Sequence, residues 1–239
     1  MYCEQADLHQ KETLDCGTMP IEEFIDGLNN GEIPLSAPEG SCTGGWHFNC
    51  EDFLKTFQAR QKCNELCMWA IVFQEWVKEL AKWIDHRQCL EIMAGAGWLA
   101  KALKQCGINI IATDDFSWKT KQHAKIAPVF PISNYEASEA IININADILI
   151  VSWPPYGCHA IVKACEVWGS EKPIIYIGEN QGGCNATDAF FDSFKVIQNH
   201  PNIPLKSWNG IHDYVRIGYW QTTSHNHSQN TNIYRGLEK

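Results

Sequence analysis

Residues 89–107 read CLEIMAGAGWLAKALKQCG, and the order of residue types within them decides the fold. "CLEIM" is an apolar run of strand length. "WLAKALKQC" places Leu99, Ala102, Leu103 and Cys106 on one face, the three-and-four spacing of an amphipathic helix. Gly107 stands where a helix-ending left-handed residue belongs. Between strand and helix lie Gly95 and Gly97. A glycine turn there removes side chains and exposes backbone N–H groups at a helix N-terminus, so a ligand can approach the main chain.

The same alternation continues on the C-terminal side. "NIIATD" (109–114) reads as a second strand and "APVFPI" (127–132) as a third, weaker one, its prolines favouring an edge or strand end. "DILIVSW" (147–153) is a fourth; a helix follows with Cys158, Ile161, Val162, Cys165 and Trp168 in register, closed by Gly169. "PIIYIGE" (173–179) is a fifth, "NATDAFFDSF" (185–194) a helix capped by Asn185 or Thr187, and "DYVRIGYW" (213–220) a last strand. Alternating strands and helices predict an α/β fold, a doubly wound and mostly parallel sheet of about seven strands with an antiparallel last strand. On the N-terminal side, "MWAIVFQEWVKELAKWI" (68–84) repeats Trp69, Val72, Phe73, Trp76, Val77, Leu80, Trp83 and Ile84 at helical spacing. That spacing predicts one long helix whose aromatic stripe belongs to the core. Residues 1–48 are polar, broken by glycine and proline, and expected to form an irregular extension with one short helix near 20–29. The α/β domain is expected over 49–222 and a polar tail over 223–239.

Composition narrows the function. The chain has 239 residues, 45% of them hydrophobic and 20% charged, the balance of an ordinary globular protein. No apolar run reaches the roughly 18 residues a membrane span needs, and the first residues do not read as a secretory signal. The cysteines, eleven in number, match no common zinc spacing; no metal is expected, and most read as small core hydrophobes in a reducing, cytoplasmic setting. A net charge of −9 argues against a duplex nucleic-acid partner. The ten tryptophans supply both core and pocket walls.

Asp114 lies 19 residues after Gly95, at the end of the second strand, where an acid can accept both hydroxyls of a ribose. Strand, glycine turn, helix and acid together point to a nucleoside-containing cofactor. "GAGWLA" also satisfies the dinucleotide fingerprint, so an NAD-dependent oxidoreductase is one alternative. A more specific likeness runs from Leu90 to Gly97. The stretch Leu90, Glu91, Ile92, Met93, Ala94, Gly95, Ala96, Gly97 resembles the first motif of the class I S-adenosylmethionine-dependent methyltransferases, L-E-V-G-x-G-x-G, with Met93 in place of its first glycine. The resemblance covers roughly residues 85–220. It implies S-adenosylmethionine as cofactor. It gives Glu91, Met93, Ala94, Gly95 and Gly97 to the methionine half, Asp114 with Asp115 beside it to the ribose, and the end of the third strand near Asn134 to the adenine. Ser152, closing the fourth strand, is placed with the cofactor residues.

The fourth strand ends in Ser152, Trp153, Pro154, Pro155, Tyr156. This is similar to the Asp/Asn/Ser-Pro-Pro-Tyr/Phe loop of the amino-methylating branch, in which the polar side chain and a proline carbonyl accept hydrogen bonds from the target NH₂. Here Trp153 holds the position before the prolines. The candidate acceptor site is therefore Trp153, Pro154 and Tyr156, with Glu179 after the fifth strand as a base or anchor, and a small molecule or protein as methyl acceptor. "GGWHFN" (44–49) is a candidate lid carrying His47; His225 and His227 read as solvated. A non-catalytic cofactor- or nucleoside-binding module is the other alternative. The sequence leaves the oligomeric state open.

Overall fold

In the computed structural model, residues 18–42, 53–119, 123 and 125–221 are described. The stretch 44–49 with His47, and the tail with His225 and His227, lie outside them. Helices are α1 (Ile21–Asn29), α2 (Phe53–Glu65), α3 (Gln74–Ile84), α4 (Trp98–Gln105), α5 (Ala137–Asn143), α6 (Ala160–Trp168) and α7 (Asp188–Ser193). The main sheet is built from β1 (Cys89–Ile92), β2 (Ile110–Asp114), β3 (Ile132–Asn134), β4 (Ile148–Ser152), β5 (Ile174–Gly178), β6 (Phe194–Val196) and β7 (Tyr214–Trp220).

The strand order is β3-β2-β1-β4-β5-β7-β6. Strands β1 to β5 pair in parallel, and β7 runs antiparallel to both β5 and β6. This is the doubly wound, mostly parallel sheet of seven strands with an antiparallel last strand expected from the sequence. Chain direction across the sheet reverses between β1 and β4, and the crevice outside their carboxyl ends is where ligands bind in such sheets.

Side-chain alternation across the pleat divides the core into two layers. Cys89, Ile148, Ile150, Ile175 and Ile177 face one, with α3, α4 and α1; Leu90, Leu149, Val151, Ile174 and Tyr176 face the other, with α5, α6 and α7. Burial on both faces is why these strands read as continuous apolar runs. Phe24 and Leu28 of α1 are buried in the first layer, and a short parallel pairing joins Thr18–Met19 to Ala37–Pro38. Residues of the 18–42 segment thus share the core of the sheet domain.

Four expectations change. The helix expected over 68–84 begins only at Gln74; residues 68–73 are not helical and Phe73 is the extended N-cap. Met68 and Ala70 to Phe73 are all buried, so the run is apolar at nearly every position and satisfies a helical period without being a helix. Chain 33–35 closes the α3 N-terminus, Pro34 and Leu35 carbonyls accepting from Gln74 and Glu75 N–H. The third strand starts at Ile132, one residue after Pro131, because a proline has no N–H to give the ladder. The helix expected over 185–194 ends at Ser193, and Phe194–Val196 is an edge strand. Helix α5 lies between the third and fourth strands, where no helix was expected.

Candidate functional site

A cleft of about 360 Å³ opens at the carboxyl edge of the sheet. The turns after β1 (Met93, Gly95), β2 (Asp114, Asp115, Ser117, Trp118), β3 (Tyr135 to Ala137) and β4 (Trp153 to Pro155, Cys158) line it, with Trp69 and the Cys184–Asn185 loop. Its volume falls in the range of small-molecule sites. None of the described lining residues is Lys, Arg or His.

The glycine turn is held in shape from below. Gly95 and Gly97 have φ of 58° and 82°. A Cβ on Gly97 would sit 2.8 Å from Ile132 and 2.9 Å from Phe130. Met93 also lies in the left-handed region, at φ 54°, which explains why the resembling motif carries glycine at that position. Three amides of the turn are already bonded: Ala94 N–H to the Thr113 carbonyl, Gly97 N–H to the Ala94 carbonyl, and Gly95 N–H to Asp114 Oδ2 at 2.8 Å.

Asp114 also accepts from Phe116 N–H (2.6 Å) and the Trp118 indole N–H (3.0 Å), both on Oδ1. A carboxylate offers about four lone-pair sites. With three filled, Asp114 has room for one further donor and cannot take both hydroxyls of a ribose. Burial pushes its carboxyl up and these bonds hold it back. Asp115 is exposed, lines the cleft, and has Oδ1 bonded to Ser117 N–H. It is the acid with room for a diol.

Glu91 is 1% exposed beside the turn, and its Oε2 has no partner among the described residues. Burial pushes its carboxyl up to about 8, against a bond from Ala100 N–H that lowers it and with Asp114 raising it further. Glu91, Met93, Ala94 and Ser152 border a separate space of about 20 Å³, room for roughly one water-sized group. Ser152 faces this space and not the main cleft, as its place one residue before Trp153 in the strand alternation requires. Asn134 is exposed and outside the cleft lining; Tyr135, Glu136 and Ala137 line it instead. Glu136 caps α5, its carboxylate accepting from Ser138 and Glu139 N–H.

The proline loop is tied to a neighbouring segment of the chain. The Pro154 carbonyl accepts from Ala186 N–H and the Pro155 carbonyl from Cys158 N–H, while Gly157 N–H donates to Ala186. Pro155 and Asn185 form an antiparallel bridge. The loop is thus stitched to chain 185–186, and its carbonyls already have donors. Tyr156 is 77% exposed and outside the cleft lining. Trp153 does wall the cleft; its φ is 51°, and its indole N–H donates to Asp213 Oδ1 at 2.8 Å. Glu179 is buried and outside the cleft lining. Its Oε2 accepts from Cys184 N–H and its Oε1 from His212 N–H, so it ties two loops together and does not present a free base.

Sequence reasoning missed Trp69, Trp118, Tyr135, Asn185 and Asp213. Trp69 is 39% exposed, because it lies in the extended segment before α3 and not on a helical core stripe. The described cysteines are free thiols. Cys63, Cys67, Cys89 and Cys165 are buried in the core, whereas Cys158 and Cys184 line the cleft.

No protein-family model matches the chain, and no curated protein matches it. Solved structures do. A structure titled MtNAS in complex with MTA and tNA matches at 10% identity, covering 72% of this chain and 69% of that one, with a TM-score of 0.45. A TehB-like SAM-dependent methyltransferase from Corynebacterium glutamicum matches at 11%, covering 70% of this chain and 99% of that one, TM-score 0.45. The glycopeptide N-methyltransferase MtfA, complexed with S-adenosyl-L-homocysteine, matches at 9%, covering 62% and 90%, TM-score 0.42. At such identity the likeness concerns the path of the chain alone.

Proposed function

We propose that the protein is a methyltransferase that uses S-adenosylmethionine to methylate a phosphate-free acceptor, a small molecule or a protein side chain. The observation that carries this reading is the chemistry of the glycine turn. Its amides at 94, 95 and 97 are bonded internally, and two buried carboxylates, Glu91 and Asp114, stand behind it. A dinucleotide needs free N–H groups for its diphosphate. A turn backed by carboxylates suits a cation instead.

The residues present fit the cofactor. Glu91, with one unpartnered oxygen beside a space of about 20 Å³, would receive the methionyl ammonium. Asp115 would take the ribose hydroxyls, and Tyr135 to Ala137 would border the adenine. When bound, S-adenosylmethionine supplies a sulfonium-activated methyl group open to displacement by an acceptor lone pair. The protein's part is orientation: Trp69 and Trp153 supply flat walls against which an acceptor can be held.

Absence of Lys, Arg and His from the described lining, with Asp115 and Glu136 facing the cleft, weighs against phosphate-bearing acceptors. Duplex nucleic acid is accordingly not the expected partner. Trp153, standing where the resembling loop carries a polar acceptor, weighs against NH₂ methylation by that route. The same observation favours a second reading, a cofactor-binding module without turnover.

Calorimetric titration with S-adenosylhomocysteine and with NADH tests the cofactor. Binding of the first and indifference to the second is expected; the reverse sinks the reading. Transfer of labelled methyl from S-adenosylmethionine to fractionated small-molecule and protein pools separates enzyme from module.

A further inference from the structure

Asn185 is 3% exposed and lines the cleft between Pro155 and Cys184. Its backbone is fixed by the bridge to Pro155. Its Oδ1 accepts from Glu179 N–H at 2.9 Å. A backbone N–H can only donate, so the amide oxygen must face Glu179 and the NH₂ must occupy the other end. That Nδ2 is buried and has no hydrogen-bond partner among the described residues. A buried, unmet donor is costly, and here it borders a ligand-sized cleft.

The surroundings limit what could meet it. Gly178 is the residue behind the amide; a Cβ there would lie 2.9 Å from Asn185 Oδ1. Glu179, through its main-chain N–H and through Oε2 bonded to Cys184 N–H, sets the loop. The Trp153 ring is held by Asp213. The Pro154 and Pro155 carbonyls already accept from Ala186 and Cys158 N–H. On this side the cleft therefore offers an amide donor beside a fixed indole, and each proline carbonyl has one of its two acceptor sites already filled.

Building on the proposed methyltransferase reading, we propose that Asn185 Nδ2 is the recognition donor of the methyl-acceptor subsite. The subsite takes a planar, non-anionic compound that stacks on Trp153 and presents a neutral hydrogen-bond-accepting oxygen or ring nitrogen. Glu179 is the positioning residue for that donor, acting through its main chain and its carboxylate bond to the Cys184 amide.

The test uses full-length protein carrying 5-fluorotryptophan, with the Trp153 resonance assigned by Trp153→Phe. Nicotinamide, benzamide and 2-quinolinone are titrated as carbonyl probes, and phenyl phosphate and benzoate as anionic ones. Carbonyl probes are expected to shift the Trp153 resonance and the anionic probes to leave it in place. Asn185→Asp keeps the oxygen facing Glu179 and removes the donor; carbonyl-probe affinity should fall by about tenfold or more, the scale of a lost buried hydrogen bond. S-adenosylhomocysteine affinity should stay within about threefold. Gly178→Ala, whose Cβ would meet both the Asn185 amide and the Tyr176 hydroxyl at 2.9 Å, should weaken the carbonyl probes in the same order, and it decides the matter if Asn185→Asp does not fold. The proposal is overturned if no carbonyl probe binds the wild-type protein, if phenyl phosphate binds as well as benzamide, or if folded variants bind nicotinamide like wild type. Failure of the cofactor reading shows separately, as absent S-adenosylhomocysteine binding alongside retained, Asn185-dependent binding of nicotinamide.

Discussion

Glu91 and the two neighbouring aspartates, Asp114 and Asp115, divide the work of the candidate cofactor site by the number of lone pairs each has left. Asp114 is the fastener of the glycine turn, accepting from Gly95, Phe116 and Trp118. Asp114→Ala leaves all three donors without their acceptor. It should lower unfolding free energy by at least about 3 kcal/mol, since bonds to a charged group are worth roughly 1.5–3 kcal/mol each; urea titration measures this. Asp115→Ala should leave stability within about 0.5 kcal/mol, as surface changes do, and weaken S-adenosylhomocysteine by about tenfold through a lost ribose contact. Equal effects of the two changes would mean that the diol is read elsewhere. Glu91 makes a sharper prediction. With its carboxyl pushed up to about 8 by burial, it is mostly protonated at pH 7. A bound ammonium favours the ionised form, so binding S-adenosylhomocysteine should release a proton from Glu91. Titration calorimetry in buffers of different ionisation enthalpy reads that release, and Glu91→Gln should abolish it.

At the scale of elements, the site depends on how tightly the β1–α4 turn is set against the edge of the sheet. Gly97 faces Phe130 and Ile132, at the start of β3, with no room for a methyl group. Gly97→Ala adds the left-handed strain of an L-residue, roughly 1–2 kcal/mol, to an overpacking cost of roughly 1–3 kcal/mol. The expected loss is about 2–5 kcal/mol, measured by denaturant unfolding. A loss under about 0.5 kcal/mol would show that β3 can move off the turn. A second linkage joins the β4 loop to the chain before β7. Trp153 holds its left-handed backbone while its indole bonds to Asp213, and Glu179 bonds to loops on either side, through Cys184 and His212. This brace gives the "SWPPY" segment its shape. Tyr156, which projects from the brace into solvent, is a poor candidate for holding a small acceptor.

For the whole molecule, the buried acids set a pH dependence. Asp213 is pushed up to about 7 by burial, with the Trp153 bond lowering it and Glu179 raising it; Glu91 is pushed up to about 8. Both values lie above those of the unfolded chain, near 4. Between the two limits the folded protein holds protons that the unfolded chain has released. Stability from these groups is therefore complete below about pH 4 and is lost as the pH rises through 7 to 8. Calorimetric melts of the ligand-free protein should show a higher melting temperature at pH 5 than at pH 8.5, by about 2–4 °C for each kcal/mol involved. Asp213→Asn, which keeps an oxygen for the Trp153 indole, should flatten that slope. A melting temperature that rises from pH 5 to 8.5 would show that these acids do not dominate the titration.

The layered sheet was legible in the residues themselves. Strand identity follows from short apolar runs, and the glycine turn from a backbone that must reach positive φ, both local properties of the chain. Glu91 and the glycines were placed beside one another for the same reason: a few residues of one strand and one turn cannot separate. The regions that went astray were also local in cause. Residues 68–73 are apolar at nearly every position, so periodicity cannot choose a conformation for them, and a three-residue edge strand after α7 carries too few residues to alternate. The tertiary structure alone decided which polar groups remain free for a ligand. Pro154 and Pro155 read as open acceptors until Ala186 and Cys158 are brought against them. Asp114 reads as a diol acceptor until Trp118 folds back onto it. Asn185 reads as a helix cap until Thr187 takes that place and Glu179 turns the amide toward the cleft. Hydrogen-bonding capacity is finite and is filled by groups distant in sequence, so vacancy at a site is a property of the folded chain.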